Sequence, residues 1–346
     1  MAGALRLVRD AAARRQRCFF STPNLNFVVA CRADEQFRDS VLHSDLSIAD
    51  GMPVVWIARL LRIPIRERVA GSDLFDALRR ASGQRLSVFF FGGPDGAAAA
   101  ACRRLASDGG GLACAGHAAP GFGSIEDMSS GAIIERINAS RADLLVVSLG
   151  ARKGQAWIER NLARLEVPVI SHLGAVLNFV AGTVSRAPAW MQENGLEWLW
   201  RIKEDPLLWR RYLRDGAALA WLLATRVLPY AWYLRLHETD AGQLAAAGVE
   251  EADEGNGYLA RLRGAWTRQN IAPLRECFSR AAAAGKDVRL DMAGVTCVDS
   301  AFVGLLLLLH GLLKRQGRVL QLAAVPRPVR RVMKYCCAEF LHADAV

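Results

Sequence analysis

The chain of 346 residues is 52% hydrophobic and 23% charged, and it contains 13 Phe and 9 Trp. This composition excludes a mainly disordered chain, and the length predicts two domains, each able to bury its own core. Eight Cys are too few for a disulfide-stapled scaffold, and the sequence has neither a C-x-x-C motif nor a zinc-spaced Cys/His cluster. We therefore expect buried, reduced thiols in a cytoplasmic protein. The basic stretch 1–17 lacks the apolar core of a secretory signal, and its Arg-rich composition leaves a transit peptide as an alternative.

The charge is distributed unevenly along the chain. Residues 1–236 carry 30 Lys/Arg against 22 Asp/Glu, and residues 257–346 carry 14 against 6. Residues 237–256 contain six acids and no Lys or Arg, and with their Ala and Gly they are typical of a linker. We predict the domain boundary in this segment. Two basic domains favour anionic partners such as nucleotide-sugars, anionic lipid or nucleic acid.

The first domain alternates apolar, strand-like runs with amphipathic helical stretches. The pattern predicts strands at 86–93, 142–151 and 167–175, and helices at 96–106 and 154–165. Apolar strands separated by helices indicate a parallel sheet that is covered on both faces. The predicted fold class is α/β, with a doubly wound, Rossmann-like domain whose ligand binds at the carboxyl ends of the strands.

An aromatic and Leu-rich segment with interleaved arginines follows at 206–235. Its apolar run from Ala217 is broken by Arg226 and Pro229, so the run is too short to span a bilayer. The composition favours a helix that lies on a membrane surface. The alternative is a helix that packs on its own domain, with the aliphatic parts of the arginines lying along apolar surface.

Residues 257–346 predict a second, small α/β domain. Strands at 286–295 and 317–325 flank a long apolar helix, which we expect Ser300 to cap and Gly317 to end. The sequence of this domain contains no nucleophile–base–acid set and no Gly-rich phosphate loop. It therefore offers no candidate catalytic site.

A dense polar region extends from Thr22 to Asp73 in the first domain. Asp50 precedes Gly51 and Pro53, and Pro is a favourable first-turn residue for the apolar helix that follows. Taken alone, Asp50 is typical of a turn or helix-capping residue.

A series of motifs in a fixed order changes that interpretation. The motifs are Thr22-x-Asn24, Ala49-Asp50-Gly51, Glu67-Arg68-Val69-x-Gly71-x-Asp73-Leu74, Phe91-Gly92-Gly93, Leu149-Gly150-Ala151-x-Lys153, Gly174-Ala175, Ala181-Gly182-Thr183, Arg186-Ala187-Pro188, Gly195-Leu196-Glu197-Trp198 and Trp209-Arg210-Arg211-Tyr212. Over residues 15–215, approximately, this series resembles the WecG/TagA/CpsF glycosyltransferases. The resemblance implies inverting transfer of an N-acetylhexosamine, typically N-acetylmannosamine, from a UDP-sugar to a lipid-diphosphate-linked saccharide in cell-surface polysaccharide biosynthesis.

The resemblance also implies roles for individual residues. An acceptor hydroxyl is a poor nucleophile, and Asp50 matches the family's candidate base, with Thr22 and Asn24 beside it as further catalytic candidates that hold hydroxyls. The departing diphosphate needs cations or aligned N–H groups. Arg68 is a candidate cation, although a structural salt bridge to Asp73 is an equal alternative. The candidate substrate-binding residues are Arg68, Gly71, Asp73, Gly92, Gly93, Gly150, Lys153, Gln155, Arg186, Arg210, Arg211 and Arg214. No Asp-x-Asp triplet occurs in the sequence, so we expect neither a metal nor a cofactor.

One segment departs from the family pattern. Where the family usually has P-K-Q-E before a Trp, this chain has Lys153-Gly154-Gln155-Ala156 before Trp157. In a gapless alignment Gly154 replaces the family Gln, whereas a local shift would restore Gln155 to the polar role. The donor preference is therefore left open.

Residues 257–346 resemble a STAS domain. The resemblance rests on Leu290-Asp291, Val298-Asp299-Ser300-Ala301 and Gly304-Leu305. Antagonists with this fold are switched by phosphorylation of the residue after Asp-Ser, and Ala301 has no hydroxyl at that position. We interpret the domain as a docking or regulatory module rather than a phosphorylation switch.

The resemblance implies a protein bound peripherally to the inner face of the bacterial cell membrane, with 206–235 as the contact. The expected partners are a UDP-N-acetylhexosamine, a lipid-linked saccharide acceptor, an anionic membrane surface, a protein partner of the STAS-like domain and a second copy of the chain. No nucleic acid is expected, because the sequence has no recognisable reading motif. A catalytically silent UDP-sugar-binding regulator is the alternative function.

Overall fold

The computed structural model describes residues 1–121, 123–237, 239–255 and 257–343. The chain divides into two compact units, Met1–Ala217 and Ala218–Val346. Residues 238 and 256 of the predicted linker and residues 344–346 of the predicted STAS-like domain lie outside the described residues. Each unit contains a sheet of its own.

The first unit contains a six-stranded parallel sheet in the order β2-β1-β6-β5-β3-β4. Its strands are β1 Cys18–Ser21, β2 Leu46–Ser47, β3 Leu86–Gly92, β4 Leu112–Ala118, β5 Leu144–Ser148 and β6 Val169–His172. Its helices are α1 Ala2–Ala13, α2 Leu25–Ala33, α3 Glu35–Leu42, α4 Met52–Leu60, α5 Gly71–Arg80, α6 Ala97–Asp108, α7 Gly131–Ala139, α8 Ala151–Asn161, α9 Val176–Ala181, α10 Ala189–Glu193, α11 Glu197–Glu204 and α12 Trp209–Leu222, the last of which continues into the second unit. The predicted α/β class is confirmed.

Helices cover both faces of this sheet, so its central strands are buried on both sides. In β3, Phe90 belongs to one buried cluster, whereas Phe89 and Phe91 belong to the cluster on the opposite face. The ring of Phe91 stacks on Trp157 of α8, with 4.2 Å between the ring centroids. Burial on both faces explains why these strands are continuous apolar runs in the sequence.

The second unit contains a four-stranded sheet in the order β10-β9-β8-β7. Its strands are β7 Gly248–Asp253, β8 Gly257–Trp266, β9 Asp287–Val298 and β10 Leu320–Ala323, and only the β7–β8 pair is antiparallel. Its helices are α13 Leu228–Leu236, α14 Ala241–Ala245, α15 Ala272–Ala283, α16 Ser300–Arg315, α17 Arg327–Tyr335 and α18 Phe340–Ala343, and a π-helical turn at Leu223–Val227 precedes α13. This small mixed α/β unit has the predicted architecture.

The acidic segment predicted as a linker contributes a strand to the second unit. Residues 248–253 form β7, which pairs with β8. Three of its acidic side chains make ion pairs: Glu250 with Arg263 at 3.0 Å, Glu251 with Arg280 at 2.5 Å, and Asp253 with Lys286 at 2.6 Å. The acids therefore complement a basic unit, whereas composition alone indicated a solvated tether.

The aromatic segment 206–235 is divided between the two units. In the second unit, Tyr230 and Tyr233 are buried against Tyr335 of α17, with ring centroids 5.6 and 6.1 Å away. Arg226 donates to the backbone oxygen of Lys334 at 2.5 Å and to Glu339 at 2.6 Å. This half of the segment packs on the helices of the second domain, an arrangement that neither sequence interpretation described.

Two further expectations need correction. Asp299, not Ser300, caps α16, because its Oδ1 accepts from the backbone N–H groups of residues 301 and 302 at 2.9 and 3.2 Å. Gly317 follows the helix with a φ of +68°, as its predicted role at the helix end requires. Cys102 on α6 and Cys114 on β4 form a disulfide where reduced thiols were expected. The spacing of Cys residues in the sequence gave no signal that α6 lies over β4.

Among the described residues, no helix combines the length and the apolar character that crossing a membrane requires.

Candidate active site

The carboxyl edge of the six-stranded sheet gathers most of the predicted site residues. Thr22 directly follows β1, Asp50 follows β2 by three residues, and Gly150 follows β5 by two. Gly92 ends β3, and Gly93 follows it. Because all six strands are parallel, these positions lie along the same edge, where ligands of doubly wound sheets bind.

Backbone contacts hold Asp50 at this edge. Its N–H donates to the oxygen of Pro23 at 2.9 Å, and its Oδ2 accepts from the N–H of Gly71 at 3.4 Å. Gly51, not Asp50, is the capping position of α4, so the carboxylate does not cap that helix. Burial raises the pKa of Asp50 to about 6, although the Gly71 N–H and the Arg68 charge oppose this shift. A carboxyl group with such a pKa is suited to accept a proton near neutral pH.

Gly71, the first residue of α5, packs closely against residues at the end of the sheet. A Cβ at this position would lie 2.5 Å from Leu173 Cδ2 and 3.0 Å from Thr22 Cγ2, so a larger residue would not fit. The absence of a side chain lets the first turn of α5 approach Asp50, and the N-terminal end of a helix stabilises negative charge. Thr22, only 6% exposed, lies against the same glycine. The structure thus brings Thr22, Asp50 and Gly71 together.

Asn24 lies against the same turn but acts as a helix cap. Its Oδ1 accepts from the N–H of Phe27 at 3.2 Å, which fixes the start of α2. A Cβ on Gly51 would lie 3.4 Å from Asn24 Cβ, so the cap and the Asp50 turn are in contact. The capping bond uses the amide oxygen of Asn24.

The predicted cations Arg68 and Arg186 are paired with carboxylates. Arg68 donates to Asp73 at 2.9 Å and to Glu197 at 3.2 Å, so the structural alternative for Arg68 is the arrangement observed. Arg186 donates to Asp76 at 3.0 Å and also to Asp73. Asp73 therefore binds two guanidinium groups and acts as the centre of a charge network beside the site.

The network extends to residues that sequence reasoning did not assign. Glu197 also accepts from Arg201 at 3.3 Å. The guanidinium groups of Arg186 and Arg201 lie 5.7 and 5.5 Å from the ring centroid of Phe179 on α9. Glu197 stood in the recognised motif order, but only the three-dimensional arrangement shows which arginines it binds.

Gly92 and Gly93 allow tight packing at the end of β3. Their φ angles are +89° and +84°, in the region that favours glycine. A Cβ on Gly92 would lie 2.8 Å from Leu149 Cδ2, and one on Gly93 would lie 2.2 Å from Leu177 Cδ2. These glycines thus have a packing role, whereas a Cβ on Gly150 would meet no atom within 4 Å.

Residues 153–156 at the start of α8 depart from the family pattern, and two of them contact residues of the sheet. Lys153 Nζ donates to the backbone oxygen of Gly123. Gln155 is fully buried, and its Nε2 donates to Ser21 Oγ at 3.0 Å. Gly154 lies directly against the imidazole of His172, at the end of β6. Sequence reasoning did not select His172, because it stood in a run interpreted only as a strand.

The three arginines on α12, Arg210, Arg211 and Arg214, are exposed, whereas Arg68 and Arg186 are partly buried. A buried contact anchors the same helix within the first unit: Asn26 on α2 donates to the two carboxylate oxygens of Asp215 at 3.3 and 3.4 Å. Asp215 is 5% exposed, and burial raises its pKa.

Comparisons with known proteins place the chain in a class. Residues 1–231 match the model of the glycosyl transferase WecG/TagA/CpsF family. Because this match covers more than half of the chain, the chain belongs to that family of glycosyltransferases, and the resemblance drawn from its motifs is confirmed. Residues 239–337 match a second model, described as Mlab, STAS domain.

Three curated relatives carry the same name. The chain is similar to the N-acetylglucosaminyldiphosphoundecaprenol N-acetyl-beta-D-mannosaminyltransferase of Bacillus spizizenii, with 28% identity over 56% of this chain and 74% of the relative. The enzyme of the same name from Bacillus subtilis is 26% identical over 56% and 74% of the two chains. The one from Staphylococcus aureus is 26% identical over 56% and 73%.

Proposed function

We propose that this glycosyltransferase transfers N-acetylmannosamine, with inversion and without a metal, from a UDP-sugar to a hydroxyl of a lipid-diphosphate-linked saccharide. The names of the relatives support an undecaprenyl-diphosphate-linked N-acetylglucosamine as the acceptor. The absence of an Asp-x-Asp triplet from the sequence supports chemistry without a metal clamp.

The observation that carries this proposal is the position and the raised pKa of Asp50. Its carboxylate lies at the carboxyl edge of the sheet, accepts a long hydrogen bond from the N–H of Gly71 and has a pKa raised to about 6. In the proposed reaction Asp50 takes the proton of the acceptor hydroxyl as the oxygen attacks the anomeric carbon. The bond to the UDP oxygen breaks on the opposite side of that carbon, which inverts its configuration.

Thr22 and Asn24 are proposed to bind hydroxyl groups next to the base. Thr22 Oγ1 can donate or accept, and the amide nitrogen of Asn24 is a donor distinct from its capping oxygen. Bound hydroxyls would orient the sugar towards Asp50, which lowers the entropic part of the activation barrier.

The lipid-linked diphosphate of the acceptor is proposed to meet the exposed arginines of α12. Arg68 and Arg186 already bind carboxylates, so they serve the diphosphate only if those pairs exchange. Arg210, Arg211 and Arg214 are exposed and lie on one short stretch of helix, where guanidinium groups can bind diphosphate oxygens bidentately.

Exposed apolar side chains in the first unit support contact with a membrane. They are Trp56, Leu60, Trp190, Trp198, Leu199, Leu207, Trp209 and Leu213. Trp198 lies near Tyr212 of α12, with 6.1 Å between the ring centroids. Exposed Trp and Leu beside arginines are typical of surfaces that insert at the headgroup level of a bilayer.

Flotation with anionic liposomes tests the membrane contact. We expect the protein to float at low salt and less so as salt rises, because headgroup attraction is screened. The double variant Leu207→Ser/Leu213→Ser should bind less, whereas Leu7→Ser, an exposed leucine on α1, is the matched control. Equal flotation of both variants would contradict a role for residues 207–213 in membrane binding.

The STAS domain is proposed to act as a docking module that includes residues 218–236 of the chain. Truncation after residue 217 should leave a soluble first unit, because the division falls there. Truncation after residue 256 should aggregate, because Tyr230 and Tyr233 would lose their cover on Tyr335. If the chain ending at residue 217 aggregated and the chain ending at residue 256 stayed soluble, residues 218–236 would belong with the first unit.

Release of UDP tests the proposed reaction. The purified full chain is incubated with EDTA, a lipid-diphosphate-linked N-acetylglucosamine, and UDP-N-acetylmannosamine, UDP-N-acetylglucosamine or UDP-glucose in turn. We expect acceptor-dependent release with UDP-N-acetylmannosamine. Binding of UDP-sugars without release from any of them would favour a catalytically silent regulator, and activity that requires added Mg²⁺ would contradict the metal-free mechanism.

A further inference from the structure

Gly154, which stands in place of the family Gln in a gapless alignment, faces an imidazole ring. A Cβ on Gly154 would lie 2.2 Å from Cδ2, 2.9 Å from Cγ and 3.1 Å from Nε2 of His172. No larger residue therefore fits at 154 while His172 keeps its position. Glycine within a helix is unfavourable, so this close approach explains why α8 contains one here. The imidazole occupies the space into which a side chain at 154 would extend.

The hydrogen bonds of His172 define its tautomer. Nε2 lies 2.5 Å from the backbone oxygen of Leu149, and because a carbonyl oxygen only accepts, Nε2 carries the hydrogen. Burial lowers the pKa of His172, so the ring is neutral at pH 7 and Nδ1 has a lone pair. Nδ1 is buried and has no hydrogen-bond partner within the part of the chain that the structure describes.

A second unpaired acceptor lies on α8, beside the end of β1. Gln155 is fully buried, and its Oε1 has no partner among the described residues, whereas its Nε2 is bound to Ser21. The pairing of β1 with β6 ends at Phe20 and Ser171, so Ser21 and His172 stand one residue further along at the same level. Side chains at the same level of adjacent strands project from the same face of the sheet.

The site thus presents two buried acceptors: His172 Nδ1 at the carboxyl end of β6, and Oε1 of Gln155 on α8, whose amide nitrogen binds Ser21 at the end of β1. Unsatisfied buried acceptors are uncommon in folded proteins, and they call for a donor from outside the protein chain. Phosphate oxygens are acceptors and do not suit this position, whereas sugar hydroxyls and an acetamido N–H are donors. The chemistry of this position therefore suits the sugar part of a nucleotide-sugar.

We propose that His172 replaces the missing side chain at position 154 and accepts, through Nδ1, a hydrogen bond from a hydroxyl or acetamido N–H of the donor hexosamine. This inference rests on the proposed function, since it assigns a group that positions the donor sugar. It makes His172 a residue on which the choice of sugar depends, with Gln155 as a second acceptor beside it.

Binding measurements on His172→Phe test the proposal. The substitution keeps a ring in the space but removes both nitrogens. We expect the affinity for UDP, which has no sugar of this kind, to be unchanged, and the affinity for UDP-N-acetylhexosamine to fall about 10-fold, the usual range for a lost hydrogen bond in a buried site. His117→Phe, a change at a histidine on β4, is the matched control.

An exchange of the two residues tests the steric part. Gly154→Gln alone should lower Tm, because its side chain meets the imidazole. His172→Gly combined with Gly154→Gln should recover both Tm and the affinity for the UDP-sugar. A wild-type Tm for Gly154→Gln alone would overturn the claim that the imidazole of His172 occupies the space of a side chain at position 154. Should His172→Phe not fold, the double variant still reports on sugar binding.

The outcomes separate this inference from the proposed function. If wild-type protein binds a UDP-sugar but transfers nothing, the proposed reaction fails while the binding comparison still tests His172. If His172→Phe keeps the wild-type ratio of UDP-sugar to UDP affinity, the inference is overturned, and Nδ1 faces bound water only. A change confined to the KM of the lipid-linked acceptor would overturn it too, because the hydroxyl would belong to the acceptor.

Discussion

Two carboxylates on either side of the first turn of α5 have opposite surroundings. Asp73 binds the guanidinium groups of Arg68 and Arg186, whereas Asp50 accepts one backbone N–H, from Gly71, at 3.4 Å. Both groups stood in the same recognised motif region. The difference indicates that paired charge holds the loops around the site in place, while the poorly paired carboxylate is available for proton transfer.

Replacing Asp50 tests the chemical side of this comparison and should give the largest effect. Asp50→Asn keeps the shape and removes the base, so we expect transfer to fall by a factor on the order of 100 or more, with UDP-sugar affinity nearly unchanged. Steady-state rates and equilibrium binding measure the two quantities. Asp95→Asn, at an exposed acid, is the control. Unchanged turnover in Asp50→Asn would remove this residue from the mechanism.

Replacing Asp73 tests the structural side. Asp73→Asn leaves two partly buried guanidinium groups without their shared carboxylate, which should lower the free energy of unfolding by about 1–3 kcal/mol. Urea denaturation of the variant and the wild type measures this difference. If Asp73→Asn has normal stability but transfer falls as far as in Asp50→Asn, Asp73 takes part in the chemistry. The two carboxylates would then not differ in role.

The pH dependence of activity and stability follows from the raised pKa of Asp50. Because the base must be ionised, kcat/KM should fall as the pH drops through about 6. A carboxyl group whose pKa is higher in the folded state binds its proton more tightly there. The ionised group therefore lowers stability as the pH rises from about 4 to about 6.

The stability part of this prediction is measured with Asp50→Asn. At pH 7 the variant should be more stable than the wild type by on the order of 2 kcal/mol, and the two should converge below pH 4. A constant difference across this range would indicate that Asp50 has an ordinary pKa in the folded protein.

The sequence predicted those features of the fold that have a local signature. The strands β3, β5 and β6 were found because they lie in largely apolar runs of sequence, and α16 was found because it is long and apolar. The strand β2 has only two residues, and β4 has a largely half-buried pattern, so neither gave a clear signal. Acidic β7 had the composition of a linker, because its ion-pair partners lie elsewhere in the sequence.

The site could be predicted only as far as its motifs reached. Asp50 and Thr22 were selected on their motif order, and the parallel sheet brings them to one edge. The partners of Arg186 and the contact between Gly154 and His172 join residues that are distant in sequence. A single sequence does not predict contacts between residues that are so far apart along the chain.

Asp215 provides an intermediate case, with the smallest expected effects. This carboxylate is buried like a structural acid, but its partner Asn26 is a neutral amide at 3.3–3.4 Å, and burial raises its pKa. Asn26→Ala should destabilise the protein by about 1–2 kcal/mol, because a buried carboxylate loses its donor. Asp215→Asn should change stability by less than about 1 kcal/mol, because an amide can bind the Asn26 amide and no charge is buried. Thermal unfolding at pH 7 compares the two variants. If Asp215→Asn proves the more damaging, the charge of Asp215 is stabilised by the nearby Arg211 and Arg214, and this carboxylate belongs with Asp73 rather than with Asp50.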